Sequence, residues 1–120
     1  MATASTTVDF VWKGSDYSDR AFGGTYSFAS MTKLIHNIWI ADTNGETITL
    51  SHLSTIECLM VLNRGSVNLT VACNDGSNTV SQVLNSGSPP LVLHSVAAGT
   101  ALTLTAASGT CAGEVVVFGT

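Results

Sequence analysis

From residue 34 onward, the sequence is a series of short apolar runs separated by Gly, Asn and Pro turn signals. The runs are LIHNIWIA (34–41), TITL (47–50), ECLMVL (57–62), VNLTVAC (67–73), TVSQVL (79–84), LVLHSV (91–96), ALTLTA (101–106) and EVVVF (114–118). Short runs at this regular spacing are typical of a β-sandwich or barrel, and no stretch has convincing helical periodicity. The sequence therefore predicts an all-β fold: a two-sheet antiparallel sandwich, jelly-roll-like, with eight or nine short strands.

Alternation within these runs predicts which residues face the core. The expected core residues are Ile40, Ile48, Leu50, Leu59, Val61, Leu69, Val71, Leu93, Leu102, Leu104, Val115 and Val117. Asn44-Gly45, between the first two runs, is a strong hairpin signal and predicts that these two strands pair. Residues 107–113 are expected to be a loop.

Residues 1–32 differ from the rest of the chain, and we expect them to form an extended N-terminal arm ahead of a sandwich domain at 33–120. A strand is expected at Val8–Trp12, whereas residues 13–30 have no evident periodicity. The first 32 residues contain six of the eight aromatics, and aromatic side chains are enriched among interface anchors. The predicted interface residues are Phe10, Trp12, Tyr17, Phe22, Tyr26 and Phe28. The alternative is that the arm folds back and closes one end of its own sandwich.

Charged residues are scarce, and the few that exist limit the classes of partner. The net charge is −4, and the four basic residues (Lys13, Arg20, Lys33 and Arg64) are scattered, so nucleic-acid binding is not expected. From Gly65 to Thr120 the only charged residues are Asp75 and Glu114. Such a surface suits contact with another protein, because charged groups are costly to desolvate. A Ser/Thr-rich solvent surface is the alternative.

Few features of the sequence indicate a cellular compartment. No apolar run reaches the roughly 20 residues of a membrane span, so we expect no membrane association. The first residues, MATASTTVDF, lack the basic and apolar regions of a signal peptide, and we expect synthesis in a cytoplasm. Cys58, Cys73 and Cys111 are therefore expected to be free, buried thiols; a Cys73–Cys111 disulfide is the alternative.

Motifs that carry catalysis or metal binding are missing from the sequence. His36, His52 and His94 lie far apart, and no His-x-His or His-x-Cys pair could supply two metal ligands from one strand. No nucleophile–base spacing or nucleotide-binding loop occurs, and Cys58 lies within a core-like run. We expect no enzyme activity and no catalytic, cofactor-binding or metal-binding residues. Sugar binding by Trp12, Tyr17 and Tyr26 with Asp16 and Asp19 stays an alternative.

The segments ETITLSHL, ECLMVLNRGSVNLTVACNDG, VAAGTALTLTA and EVVVF alternate hydroxyl and aliphatic residues and join at Asn/Gly turns. In this they resemble the small β-sandwich cement or decoration proteins of tailed-phage capsids. The resemblance covers about two-thirds of the chain. It implies a virion structural protein, made in the host cytoplasm, that binds the major capsid protein on the outer surface of the head and stabilises it. It also implies a homo-oligomer, with a trimer favoured. A head-fibre or tail domain and a free carbohydrate-binding module are the alternatives.

Overall fold

A computed structural model describes residues 2–12, 20–97 and 100–120. These residues form ten β-strands and no helix. The strands are β1 (Ala2–Trp12), β2 (Arg20–Met31), β3 (Lys33–Asp42), β4 (Glu46–Thr49), β5 (Ile56–Asn63), β6 (Leu69–Asn74), β7 (Thr79–Leu84), β8 (Leu91–Val96), β9 (Ala101–Ala106) and β10 (Thr110–Gly119). The chain divides into two compact units, Met1–Met31 and Thr32–Thr120.

The second unit is a sandwich of two four-stranded antiparallel sheets, which confirms the predicted fold class. Sheet I has the strand order β3-β10-β5-β8, and sheet II has the order β4-β9-β6-β7. Within the sandwich only β6 and β7 are consecutive in the chain and also paired, so every other connection crosses between the sheets. The first and last strands of the sandwich, β3 and β10, are neighbours over ten residue pairs.

The core lies between the inner faces of the two sheets. Its centre is fully buried and aliphatic, with Leu59, Val61, Val115 and Val117 from sheet I. Leu69, Val71, Leu102 and Leu104 face them from sheet II. Each such side chain contributes on the order of 1.5–3 kcal/mol by its removal from water. All predicted core residues are buried except two.

Ile40 and Leu93 are the two exceptions. The prediction for Ile40 was wrong, because this side chain is exposed. Along β3 the inner positions belong to Ile35, Trp39 and Ala41, so strand alternation places Ile40 on the outer face. Leu93 is half-buried and packs against the core. The expected strands match the observed ones, although β10 begins at Thr110, inside the stretch expected to be a loop.

The Asn44-Gly45 turn joins two strands of different sheets, so the hairpin predicted there was also wrong. Strand β3 pairs with β10, and β4 pairs with β9. The Asp42 carboxylate accepts hydrogen bonds from the N–H groups of Asn44 (2.8 Å) and Gly45 (3.2 Å), and Gly45 has φ +92°. The dipeptide therefore supplies the backbone geometry of a tight turn, whereas the partners of its flanking strands are set by the rest of the fold.

Asn63 is a buried polar group that ties the end of β5 to both sheets. Its side-chain amide donates to the carbonyl oxygens of Val67 and Leu84, both at 2.8 Å. Its side-chain oxygen accepts from the Gly65 N–H at 2.8 Å and from the Cys111 thiol at 3.2 Å. All donors and acceptors of this amide group have partners, as a buried polar side chain requires.

The first unit is an antiparallel ribbon of β1 and β2. Its register pairs Ala4 with Phe28, Thr6 with Tyr26 and Phe10 with Phe22. Strand β2 lies where the sequence was expected to be irregular, so residues 20–31 belong to a two-stranded ribbon instead of a single extended chain. The reason is that β2 pairs along its length with β1, which supplies the backbone hydrogen bonds that make a strand.

Candidate functional site

The outer face of sheet I is the candidate site, and we call it the apolar face. Its positions come from all four strands: Leu34, His36, Ile38 and Ile40 of β3; Ala112, Glu114, Val116 and Phe118 of β10; Cys58, Met60 and Leu62 of β5; and Val92 and His94 of β8. They form cross-strand rows, such as His36–Val116–Met60–Val92. Apart from His36, Glu114 and His94, every position is apolar.

The exposed part of the apolar face is concentrated on the edge strand β3. Leu34 is 69% exposed, Ile40 61% and Ile38 50%. Isolated exposed aliphatic residues are normal, but three on one face of one strand form a stripe. Val92 on the opposite edge strand is also exposed, so apolar surface extends across the width of the sheet.

The outer face of sheet II has a different chemistry. Its cross-strand row Thr47–Thr103–Ala72–Ser81 is typical, and the Thr47 and Thr103 hydroxyls are hydrogen-bonded at 3.2 Å. We call this surface the threonine face; its positions are Thr47, Thr49, Thr70, Ala72, Asn74, Thr79, Ser81, Val83, Ala101, Thr103 and Thr105. None of them is charged. The outer face of sheet I is therefore apolar, whereas the outer face of sheet II is rich in hydroxyl groups.

One charged cluster lies on the apolar face. The Glu114 carboxylate accepts from His36 Nε2 at 2.7 Å and lies 3.4 Å from Arg64 Nε. Strand β10 positions Glu114 between β3, which carries His36, and the end of β5, which precedes Arg64. The carboxylate is mostly shielded from solvent and has partners on both oxygens. The hydrogen bond with His36 and the nearby Arg64 guanidinium therefore compensate the burial of the Glu114 carboxylate among apolar side chains.

The aromatic residues predicted to form an interface lie largely in the ribbon. Phe10 and Trp12 belong to β1, and Phe22, Tyr26 and Phe28 belong to β2. Tyr17 lies outside the described residues. The backbone register places Phe10 opposite Phe22, Tyr26 opposite Thr6 and Phe28 opposite Ala4. The side chains of these aromatic residues lie outside the described part of the structure, and their expected role as an interface stays a prediction.

Described residues of the sandwich line two shallow cavities. One, of about 310 Å³, is lined by residues 82–85 and 88–91. The other, of about 210 Å³, is lined by Cys73, Asp75, Asn78, Val80, Leu93, His94, Val96, Ala97 and Thr100. Both are at or below the small end of the range for ligand sites, about 300–1,000 Å³.

The smaller cavity brings together a thiol, an imidazole and a carboxylate, but their state is unsuited to nucleophilic catalysis. Burial raises the pKa of the Cys73 thiol, which disfavours the reactive thiolate. The Asp75 side chain accepts hydrogen bonds from the N–H groups of Ser77 (2.8 Å) and Asn78 (2.7 Å), so it stabilises the β6–β7 turn. Cys58, Cys73 and Cys111 are buried and form no disulfide, as the sequence predicted.

No group of three or more His, Cys, Asp or Glu side chains among the described residues could hold a metal ion. No helix long and apolar enough to cross a membrane occurs in the same part of the chain.

The apolar face was missed from the sequence, although a signal for it was present. In an antiparallel sandwich one side of each strand is normally solvated, which gives an alternating pattern. Strands of sheet II alternate in this way, as in ALTLTA. Strands of sheet I, such as ECLMVL and EVVVF, have apolar residues at both odd and even positions. A continuous apolar run in such a sheet indicates an outer face that is itself apolar.

Comparisons of the chain with protein-family models, with curated proteins and with solved structures found no match.

Proposed function

We propose that this chain is a non-enzymatic structural protein of a virion: a capsid cement or decoration protein that binds the outer surface of a phage head and stabilises it. The observation that carries the proposal is the chemistry of the two outer faces of the sandwich. One face is apolar and the other is a hydroxyl surface without charges. A freely dissolved domain of this size normally carries about 25% charged residues, whereas this chain has 10%.

The size of the apolar face supports an assembly role. Four strands about 4.8 Å apart, with rows from Leu34 to Ile40 spanning about 20 Å, give a flat footprint of roughly 400 Å². This is comparable to the largest apolar patches on soluble monomers, which often mark interaction sites. A protein that works within a particle has partners to cover such a surface.

The threonine face is our proposed contact with the capsid shell. Its hydroxyl and methyl groups can lie against a protein surface without the cost of desolvating charges. Its two central strands, β6 and β9, present Thr70, Ala72, Thr103 and Thr105, which give a surface of short side chains. The proposed partner there is the major capsid protein.

The order of the strands adds a supporting consideration. Counted within the sandwich alone, β3 to β10 are laid out as 1-8-3-6 in one sheet and 2-7-4-5 in the other. From this order we infer the jelly-roll arrangement, which occurs in many viral capsid and lectin domains. Because one fold hosts many functions, the arrangement is compatible with the proposal without identifying it.

The test begins with particles purified from cells that naturally produce the chain. We expect mass spectrometry to detect the chain in stoichiometric amount on the heads, and added protein to sediment with heads that lack it. Thr103→Lys, which places a charge at the centre of the threonine face, should abolish this binding. Ser108→Lys, in the exposed turn before β10, is the matched control and should bind normally.

Other outcomes would reject the proposal and favour its alternatives. Protein that stays in the supernatant with purified heads would contradict the decoration role. Recovery of the chain on tails or fibres would favour a head-fibre or tail domain. Binding to an immobilised glycan in the absence of any particle would favour a carbohydrate-binding module.

A further inference from the structure

One lateral edge of the sandwich is open between its two sheets. It is formed by β7, the last strand of sheet II, and β8, the last strand of sheet I. The inner-facing residues of β7, which stand opposite buried positions of β6, are Val80, Gln82 and Leu84. Leu84 is buried, whereas Gln82 is exposed and Val80 is 57% exposed. At the other lateral edge, β3 and β4 bury their inner-facing Ala41 and Ile48.

We call the gap between β7 and β8 the edge groove. Leu91 and Leu93, the inner-facing residues of β8, are half-buried there and pack against the core. The cavity of about 310 Å³ lies at the end near Leu84 and Leu91, and the cavity of about 210 Å³ lies at the end near Val80 and Leu93. From Val80 to Leu84, β7 covers about 13 Å. The two cavities are therefore spaced like side chains four residues apart on one side of an extended peptide.

The backbone of β8 departs from regular alternation beside the smaller cavity. Leu91 and Leu93 face inward, so strict alternation would next turn Ser95 inward. Instead Ser95 is exposed with φ 53°, and Val96 packs against the core and lines the cavity. A positive φ is unfavourable for a residue with a Cβ, and such strain is found where it shapes ligand sites. Here it gives the smaller cavity an apolar side chain in its wall.

Backbone groups of β7 face the open side of the strand. The Asp75 N–H donates to the Asn78 carbonyl oxygen at 3.1 Å, so this hydrogen bond extends the β6–β7 ladder. Hydrogen bonding alternates along an antiparallel pair, so the even residues of β7 bond to β6, whereas Ser81 and Val83 direct their N–H and C=O groups away from it. The Gln82 side chain donates to the Val83 carbonyl oxygen at 3.1 Å, as that direction requires.

The sequence of β7 does not protect this edge. TVSQVL (79–84) has no charge and no proline, which are common devices that prevent an edge strand from recruiting another strand. The other three edge strands carry such devices: β3 begins at Lys33 and ends at Asp42, and β4 begins at Glu46. Strand β8 follows Pro90 and changes direction at Ser95. Among the edge strands of the sandwich, β7 is therefore the one suited to accept an added strand.

The edge groove is acidic at one end. Asp75 lines the smaller cavity, and no lysine or arginine is among the described residues that line either cavity. The N–H groups of Ser77 and Asn78 donate to the Asp75 carboxylate, which fixes its position. At the other end, Ser88 lines the larger cavity, and its buried hydroxyl has no hydrogen-bond partner among the described residues. The groove is therefore complementary to a chain with a cationic group at one end.

We propose that the edge groove binds an extended peptide segment of a partner protein, which pairs with β7 as an added strand. Two apolar side chains of the peptide, four residues apart, fill the two cavities, and a lysine, an arginine or a free amino terminus lies beside Asp75. Main-chain hydrogen bonds supply affinity, and the cavities supply specificity. The proposal goes beyond the virion role and does not depend on it, because peptide binding needs no shell.

The experiment titrates the full chain with synthetic peptides and follows its backbone amide signals by NMR. Each peptide has about eight residues, within the usual length of a strand, with alternating valine and threonine. Lysine stands at the amino end of one peptide and at the carboxyl end of another, which covers both strand directions. We expect one of them to shift the signals of Ser81, Val83 and Leu93. Matched peptides with glutamate in place of lysine should bind at least about twofold more weakly.

Variants of the chain then test the groove. Val80→Lys places a charge between the two cavities and should weaken peptide binding at least about tenfold. Ile38→Lys is the matched control, because Ile38 is 50% exposed against 57% for Val80 but lies on the outer face of β3, and it should bind like the wild type. Asp75→Asn keeps an oxygen for the N–H groups of the turn and should weaken binding of the lysine peptide by about two- to fivefold.

Circular dichroism checks that each variant keeps its β-sheet spectrum, and the mapping on the wild-type chain decides the question if Val80→Lys fails to fold. Three results would overturn the inference: no shifts with either lysine peptide, shifts confined to residues outside β7 and β8, or normal binding by folded Val80→Lys. Self-association of the wild type that Val80→Lys abolishes would assign the groove to a second copy and also overturn it. The test of head binding at Thr103 is separate from all of these results.

Discussion

Replacing Asn63 with leucine tests how far one buried amide holds the sandwich together. Asn63 is 5% exposed, and leucine has a similar size, so the change removes hydrogen bonds with little change in volume. It leaves the carbonyl oxygens of Val67 and Leu84 and the Gly65 N–H without this partner. A buried polar group that loses its partner costs about 1–3 kcal/mol.

These three groups are buried to different degrees, so we expect Asn63→Leu to lower the free energy of unfolding by about 3–5 kcal/mol. That is a large fraction of the about 5–15 kcal/mol that stabilises a typical domain. At about 4 °C per kcal/mol for a chain of this size, the melting temperature should fall by about 12–20 °C.

Urea unfolding followed by circular dichroism measures this loss, with the midpoint falling and the slope unchanged. Asn68→Ala is the matched control, because Asn68 is exposed and contributes only its backbone oxygen, which accepts from the Ala107 N–H at 2.9 Å. We expect the control to change stability by less than about 0.5 kcal/mol. An Asn63→Leu protein within about 1 kcal/mol of the wild type would refute the reasoning.

Three further predictions concern single residues. Ser95 has φ 53°, a left-handed conformation that is unfavourable for a residue with a Cβ. Ser95→Gly should therefore raise the free energy of unfolding by about 1 kcal/mol, and a loss of stability would contradict this. Hydrogen bonds from the N–H groups of Asn78 and Ser77 lower the pKa of Asp75 from its ordinary 3.8. The ionised carboxylate therefore stabilises the fold above that pH, and this contribution disappears as the pH falls through the lowered pKa. Asp75→Asn should show a weaker loss of stability below about pH 4 in acid titrations, and an unchanged acid dependence would refute this assignment. Burial raises the pKa of Cys73, so this thiol should react with a thiol reagent slowly in the folded protein and rapidly in denaturant; rapid reaction in the folded state would contradict its burial.

The strands of the sandwich could be predicted because their signals are local. Alternation in ALTLTA and VNLTVAC reports one buried and one solvated side, and the structure buries Leu102, Leu104, Leu69 and Val71 as expected. In β3 the same reasoning failed at Ile40, because LIHNIWIA has apolar residues at both odd and even positions. Periodicity alone does not say which side of such a strand meets the core.

The ribbon shows a signal that was present but not used. Phe22, Tyr26 and Phe28 stand at even spacing, which is the period of a strand, and Phe10 and Trp12 have the same parity. Gly23, Gly24 and the small residues between the aromatic positions obscured this pattern. The structure pairs β1 with β2, which makes the segment a strand.

The sequence by itself determined the strands of the sandwich, the positions of most of their turns and most of the core, because alternation and turn chemistry depend on neighbouring residues. Only the tertiary structure decided which strands pair. The Asn44-Gly45 turn joins different sheets, and β10 returns between β3 and β5. That pairing is what gathers residues far apart in the chain, Ile38, Val116, Met60 and Val92 among them, into one apolar face. It also brings Glu114 to His36, 78 positions away. Such contacts depend on the closure of long loops and on competition among possible partners, and local sequence carries little information about either.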